Sequence, residues 1–250
     1  MPYFDTHSGK CFYRNWQVKQ PSAIAILIHG FGEHSGHYHR LAIALNNANI
    51  DVWGIDHVGH GLSYGENGFF DSIDELSTNV GYLVQLAHDK HPNIPLVIIG
   101  HSLGGITATN YVLLHSNKVR GLIVLGTPFD GLIDLDPLDE LIMSKDDFYL
   151  DEIENDPLKF DTSLSLDNLW KKIGEKTNVF QDKIPNLNIP VMFINGEFDC
   201  FATPEIAHKW ASLIKNSKCH IIKDGYHDIP NDISHSEVSK NIISLINDVI

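Results

Sequence analysis

The run Gly100-His101-Ser102-Leu103-Gly104 sets a serine between two glycines, directly after the apolar stretch Leu96-Val97-Ile98-Ile99. This is G-x-S-x-G in the setting its chemistry needs, with a strand before it and a helix after it. The turn is sharp and leaves no room for side chains, which accounts for the glycines. It lifts the hydroxyl clear of the sheet. A serine alone is a poor nucleophile at neutral pH; it needs a base, and the base needs an orienting group. In sites of this kind the acid and then the histidine follow the serine along the chain. Here the apolar run Val191 to Ile194 leads into Asn195-Gly196-Glu197-Phe198-Asp199, and the next, His220 to Lys223, leads into Asp224-Gly225-Tyr226-His227. Both ends fall where loops at the carboxyl edge of a sheet would converge on Ser102.

His227 is the candidate base. With fifteen histidines in the chain, position has to choose between them. His208 and His220 fall inside a predicted helix and strand, His235 near a helix start, and His115 at the far end of the helix that follows Ser102. For the acid, Asp224 and Asp228 stand too close to His227 in sequence to reach round to its ring. Asp199 and Glu197 compete, with Asp199 the first choice. The oxyanion formed on attack needs two preorganised N–H donors. Leu103, the residue after the nucleophile, supplies one, and Phe31, in Ile28-His29-Gly30-Phe31-Gly32, the other. Two further histidine groups (His34, His37 and His39; His57 and His60) lack a helix-phased acid partner of the kind found in zinc motifs. No metal and no cofactor is expected, and Asp56 to Gly61 reads as a shaped turn after a strand.

The elements that must hold these residues alternate short apolar runs with helix-period segments, the pattern of a mostly parallel sheet covered by helices. Ser8-Gly9 separates two strands, Tyr3 to Thr6 and Cys11 to Val18, as a hairpin would. Central strands follow at Ile24 to Ile28, Asp51 to Ile55, Leu96 to Ile99, Leu122 to Leu125 and Val191 to Ile194, with a last one at His220 to Lys223. Helices are expected from about Ser72, from Thr203-Pro204, where an N-cap is followed by proline, and at the end, where Val238, Ile242, Leu245, Ile246 and Val249 share a face. The stretch 128–185 offers no strong strand and falls between two strands of the sheet. It reads as an insertion packed over the sheet's end, beside the crevice where ligands bind in open α/β sheets.

The whole, 250 residues with 43% apolar and 20% charged side chains, suits one domain with a sizeable core. No apolar run is long enough to span a bilayer, and the first residues lack the features of a secretory signal. Three widely spaced cysteines show no zinc or redox spacing, so a reduced, cytoplasmic setting is expected. The net charge of −14 disfavours nucleic acid and anionic membranes as partners. From Asp130 to Asp161 twelve acids stand against only Lys145 and Lys159, so this stretch carries −10 of the −14. Such a block reads as a solvated surface segment or, if it covers the site, as a negative field over the entrance that favours neutral esters.

With these residues placed, the chain resembles the monoacylglycerol lipase and lysophospholipase group of α/β hydrolases, also grouped with serine aminopeptidases. The stretch from His29 to Tyr38 is similar to that group's H-G-x-G-E-H-S-x-R-Y, Asp56 to Ser63 to its D-H-x-G-H-G-x-S, and Gly100 to Gly105 to its elbow. Asn155-Asp156-Pro157-Leu158 resembles the motif after its cap. The resemblance implies the α/β-hydrolase fold with a cap at 128–185, a Ser102–His227–Asp199 triad, oxyanion donors at Phe31 and Leu103, and hydrolysis of an acyl ester. Two departures stand out. His37 replaces the group's arginine, and the stretch before Asn155 is short and acidic rather than apolar, which weakens long-chain monoacylglycerol as the substrate. An aminopeptidase or amidase, and a non-catalytic ligand-binding protein of the same fold, are the alternatives.

Overall fold

The computed structural model describes residues 2–7, 9–131 and 141–250, with all of their side chains except that of Leu164. Eight strands form one sheet: β1 (Tyr3–Asp5), β2 (Lys10–Trp16), β3 (Ala23–Ile28), β4 (Ile50–Ile55), β5 (Leu96–His101), β6 (Gly121–Leu125), β7 (Val191–Gly196) and β8 (Ser217–Ile222). Their order across the sheet is β1-β2-β4-β3-β5-β6-β7-β8. The β1–β2 and β2–β4 pairs are antiparallel and the rest are parallel. The expected hairpin is present, although Ser8 lies outside the described residues. Several bounds differ from expectation: β2 ends at Trp16 and β7 runs on to Gly196. β5 runs on through Gly100 and His101, paired with Val124 and Leu125, and β8 begins at Ser217 and stops short of Lys223.

The central strands β3 to β7 are buried at every position and mostly apolar, because both faces of the sheet are covered. In β3, Ile24, Ile26 and Ile28 enter one core and Ala23, Ala25 and Leu27 the other, the two-residue period of a strand. The first core is closed by α2 (Ile73–Lys90), α3 (Leu103–His115), α5 (Leu166–Lys183) and α6 (Pro204–Ser212), the second by α1 (His39–Asn47) and α7 (His235–Val249). Ser72 caps α2 by accepting from the Glu75 N–H at 3.1 Å, while Glu75 returns a carboxylate oxygen to the Asp71 N–H at 2.9 Å. Thr203 holds the N-cap position of α6 before Pro204, but its side chain makes no capping bond.

Between β6 and β7 the chain builds α4 (Asp147–Glu154) and α5, and no strand among the described residues. Asp134, Asp136, Asp139 and Glu140 of the acidic stretch lie outside those residues. The strand order reverses at the β3–β5 pair: the chain leaves β3 toward β4 on one side and β5 toward β6 on the other. That reversal opens a crevice at the carboxyl ends of β3 and β5, where ligands bind in sheets of this kind. The Gly30–Tyr38 loop and Ser102 flank it.

Candidate active site

Ser102 adopts φ 49° and ψ −118° at the N-terminus of α3, a backbone region that L-residues avoid unless their surroundings impose it. The surroundings do impose it. The Ser102 N–H donates to the Leu125 carbonyl and its own carbonyl accepts from the Gly105 N–H, each at 2.9 Å. The glycines are required by contact. A Cβ on Gly100 would lie 2.2 Å from the Gly104 oxygen, and one on Gly104 would lie 2.1 Å from the Ile28 oxygen.

The structure brings Ser102, His227 and Asp199 together. Ser102 Oγ lies 3.1 Å from His227 Nε2, and His227 Nδ1 lies 2.9 Å from Asp199 Oδ1 and 3.1 Å from Oδ2. Asp199 is in turn fixed by the N–H groups of Phe201 and Ala202, both 2.9 Å from Oδ1. It is buried, as is His227. Glu197, the competing acid, turns away and accepts from the Asp224 N–H at 3.0 Å. Phe31 and Leu103 line the same cavity as Ser102. A Cβ on Gly30 would lie 3.2 Å from Ser102 Cβ, so the loop after β3 packs directly on the elbow.

Behind these residues lies a buried polar network that the sequence reading did not single out. Glu33 Oε2 accepts from the Gly30 N–H and the Tyr38 hydroxyl, both at 2.6 Å, and faces His101 Nδ1 at 3.2 Å. Burial works against a charge on His101, but the Glu33 carboxylate outweighs it and raises the imidazole to about 9. Burial favours the neutral form of Glu33 too, yet His101 holds it well below the usual carboxylate range. Asp228, 3.7 Å from His101 Nε2, is pushed up to about 7 by burial and then by the charge on Glu33. His57 and His60, buried, are lowered to about 3 and about 4 by desolvation, which keeps them neutral.

The first histidine group does find an acid, from the far side of the chain. His34 Nε2 and His37 Nε2 each lie 2.6 Å from Asp156 Oδ2, and His39 instead accepts from Trp16 Nε1 at 2.8 Å. Two imidazoles and a carboxylate are a donor set that transition metals accept. A metal-bound histidine, however, donates its other ring N–H to an acceptor. His34 Nδ1 instead accepts from the Gly36 N–H at 3.0 Å, so in the neutral ring the proton sits on Nε2. His37 Nδ1 is buried with no hydrogen-bond partner among the described residues. These surroundings suit two imidazole N–H groups donating to one carboxylate oxygen better than they suit an ion.

A cavity of about 630 Å³ opens over Ser102 and His227. Its other wall comes from the stretch between β6 and β7, including Tyr149, Asp156, Phe160, Trp170 and Ile173. Phe201 stacks on Trp170 at an interplanar angle of 18° and lies 4.9 Å from the His227 ring. The size and the mostly apolar lining fit a small organic ligand.

The profile of the family described as "Serine aminopeptidase, S33" matches residues 19–145, from before the loop after β3 to beyond the elbow. Human monoglyceride lipase is 25% identical, over 99% of this chain and 89% of its own. Among solved structures, the monoacylglycerol lipase of Paleococcus ferrophilus superposes with a TM-score of 0.80 at 21% identity, covering 95% of this chain and 98% of that one. A carboxyl esterase from Bacillus coagulans gives 0.83 at 21% identity, covering 99% and 97%. With more than half of its length matched by the family profile, the chain belongs to the serine aminopeptidase S33 family of α/β hydrolases.

Proposed function

We propose that this carboxylic ester hydrolase works through an acyl-enzyme on Ser102. The observation that carries the reading is the chain of contacts from Ser102 Oγ through His227 to Asp199, 3.1 Å and then 2.9 Å. His227 takes the hydroxyl proton as Ser102 attacks the ester carbonyl, gives that proton to the departing alcohol, and then activates the water that releases the acid. Asp199 fixes the tautomer with the proton on Nδ1 and stabilises the imidazolium. The N–H groups of Phe31 and Leu103 receive the oxyanion.

The stretch 128–185 serves as a cap, and the substrate is a neutral acyl ester of a size that fits the cavity. The names of the relatives, monoglyceride lipase and carboxyl esterase, support an acyl ester as the class. A reduced, cytoplasmic setting belongs to the same proposal, and no described helix is long and apolar enough to cross a membrane. The test has two arms. A fluorophosphonate probe should label Ser102, and a p-nitrophenyl ester should be turned over far faster than an aminoacyl nitroanilide. Turnover of the anilide alone would favour the aminopeptidase that the family description names, and failure of the probe would favour a ligand-binding protein.

A further inference from the structure

We infer that Asp156 is a positioning residue: from the insertion, and through His34 and His37, it holds the loop after β3 in the shape that aims the Phe31 N–H at the reacting carbonyl. This rests on the acyl-enzyme reading and adds to it a residue outside the triad and the oxyanion donors.

Of the Gly30–Tyr38 loop, Ser35–Tyr38 forms a 3₁₀ turn, and the part that carries Phe31 needs other anchors. From the sheet side, Glu33 and the Tyr38 hydroxyl meet His101 Nδ1 at 3.2 and 2.8 Å, and the Ser35 N–H donates to Asp56 Oδ1 at 2.8 Å. From the opposite side, residues 156–162 lie across it. A Cβ on Gly32 would come within 2.8 Å of Thr162 Cγ2, and the rings of Phe31 and Phe160 meet edge to face at 6.2 Å. Those contacts are apolar and would tolerate sliding. Among the described residues of 156–162, Asp156 makes the directional bonds to the loop, two of them at 2.6 Å, while Tyr149 of α4 adds a longer one to Glu33 at 3.4 Å. Asp156 Oδ1 accepts from the Leu158 N–H at 2.7 Å, so the carboxylate is itself fixed before it reaches the histidines.

Burial opposes a charge on Asp156, but the Leu158 N–H and the two imidazoles hold its carboxyl at about 2, so the acceptor is ionised at working pH. Hydrogen bonds to an ionised acceptor are roughly twice as strong as neutral ones. Removing the carboxylate would leave two buried imidazole N–H groups unpaired, which costs far more than the bonds themselves contribute. The loop would relax to hydrate them. Phe31 lies three residues from His34, so that relaxation moves a donor whose complete loss costs roughly 10² to 10³ in rate.

The test compares Asp156→Ala, His37→Ala and His37→Arg with the wild type on p-nitrophenyl butyrate, with melting temperatures recorded alongside. An arginine at position 37 can donate to Asp156 as the histidine does. Asp156→Ala and His37→Ala should lose about tenfold to a hundredfold in kcat, a fraction of the loss of a whole donor, with KM changed less than about threefold. His37→Arg should recover most of that rate. The Ki of a trifluoromethyl ketone, whose adduct on serine carries the oxyanion, should rise by the same factor as kcat/KM falls. Two results would overturn the inference: an Asp156→Ala enzyme with kcat within twofold of wild type, or an unchanged inhibitor Ki despite lost activity. If a variant melts too low to assay, the Ki and kcat of His37→Arg against wild type decide, and a tenfold loss there overturns it as well. An inactive wild type would instead count against the acyl-enzyme reading.

Discussion

His101 Nε2 lies 3.0 Å from the carbonyl oxygen of His227, so the residue before the elbow serine is bonded to the backbone of the residue whose ring contacts that serine. The other ring nitrogen of His101 faces Glu33. Both nitrogens meet acceptors, which only the doubly protonated imidazolium can satisfy. Replacing a buried ion pair of this sort by apolar groups is often neutral, whereas removing one of its charges is costly. The pair also has a geometric effect, because Glu33 holds Gly30 while His101 holds His227. The loop after β3, the elbow and the loop after β8 thus share one charge network.

That network predicts how stability should vary with pH. The folded-state pKa of His101, about 9, stands above its ordinary 6.5. The stabilisation is therefore fully present below pH 6.5 and is lost as pH rises through 9. With each unit worth about 1.4 kcal/mol, the loss is on the order of 3 kcal/mol. Asp228, raised from 3.8 to about 7, also lowers stability as pH rises, but mainly below pH 7. Melting temperatures between pH 7 and 9 therefore isolate His101. They should fall in the wild type and stay nearly level in Glu33→Gln, which should also melt lower at pH 6.5. Equal slopes in the two proteins would show that His101 is not charged by Glu33.

Ser102→Ala should abolish ester turnover, with a loss on the order of 10⁴ to 10⁶ in kcat by the behaviour of other triads, while the melting temperature holds or rises. A rise is expected in degrees at most, since alanine leaves the strained turn in place. Retention of a tenth of the wild-type rate would remove Ser102 from the role of nucleophile.

Asp199→Asn should cost roughly 10⁴-fold, because an amide in place of the carboxylate favours the wrong tautomer of the base. Glu197→Gln should change kcat less than about twofold, since the Glu197 carboxylate accepts from the Asp224 N–H rather than from His227. Steady-state rates on one chromogenic ester are enough to rank the two, and the reverse ranking would make Glu197 the acid.

What the sequence could and could not reveal follows from the range of each interaction. The elbow was legible because its glycines answer contacts within a few residues: Gly100 meets Gly104. Asp199 and His227 were legible because strands ending in polar turns point to the carboxyl edge of the sheet. The contacts of His34 and His37 with Asp156 span 122 and 119 residues, and no local pattern announces a pairing of that length. An acid that faces the two histidines from the insertion is equally beyond the reach of an argument from helix-phased partners. α5 went unread because its buried stripe of Leu169, Ile173, Thr177 and Phe180 is sparse among lysines and acids. The Glu33–His101 pair was invisible because both residues already belonged to motifs that explained them in other terms.

The acidic stretch leads to the last prediction, and the structure reduces its size. Asp146 is paired with Arg40 at 2.7 Å and Asp130 with Lys209 at 2.8 Å, both cations from outside the stretch, while Glu154 is paired with Lys159. The field over the cavity is therefore weaker than a count of −10 implies. Glu154 and Asp156 nevertheless line the cavity, and Asp156 is ionised. Charged clefts change on-rates by roughly 10-fold or more when unneutralised, so a partly neutralised one should give a several-fold bias. A neutral butyrate ester should have a higher kcat/KM than a succinate monoester of the same length at low ionic strength. Salt screens such a field over about 10 Å at 0.1 M, and the two values should converge as salt is added. Equal kcat/KM for the two esters in dilute buffer would mean that the acids act only on bulk solvent, and that acyl charge plays no part in substrate choice.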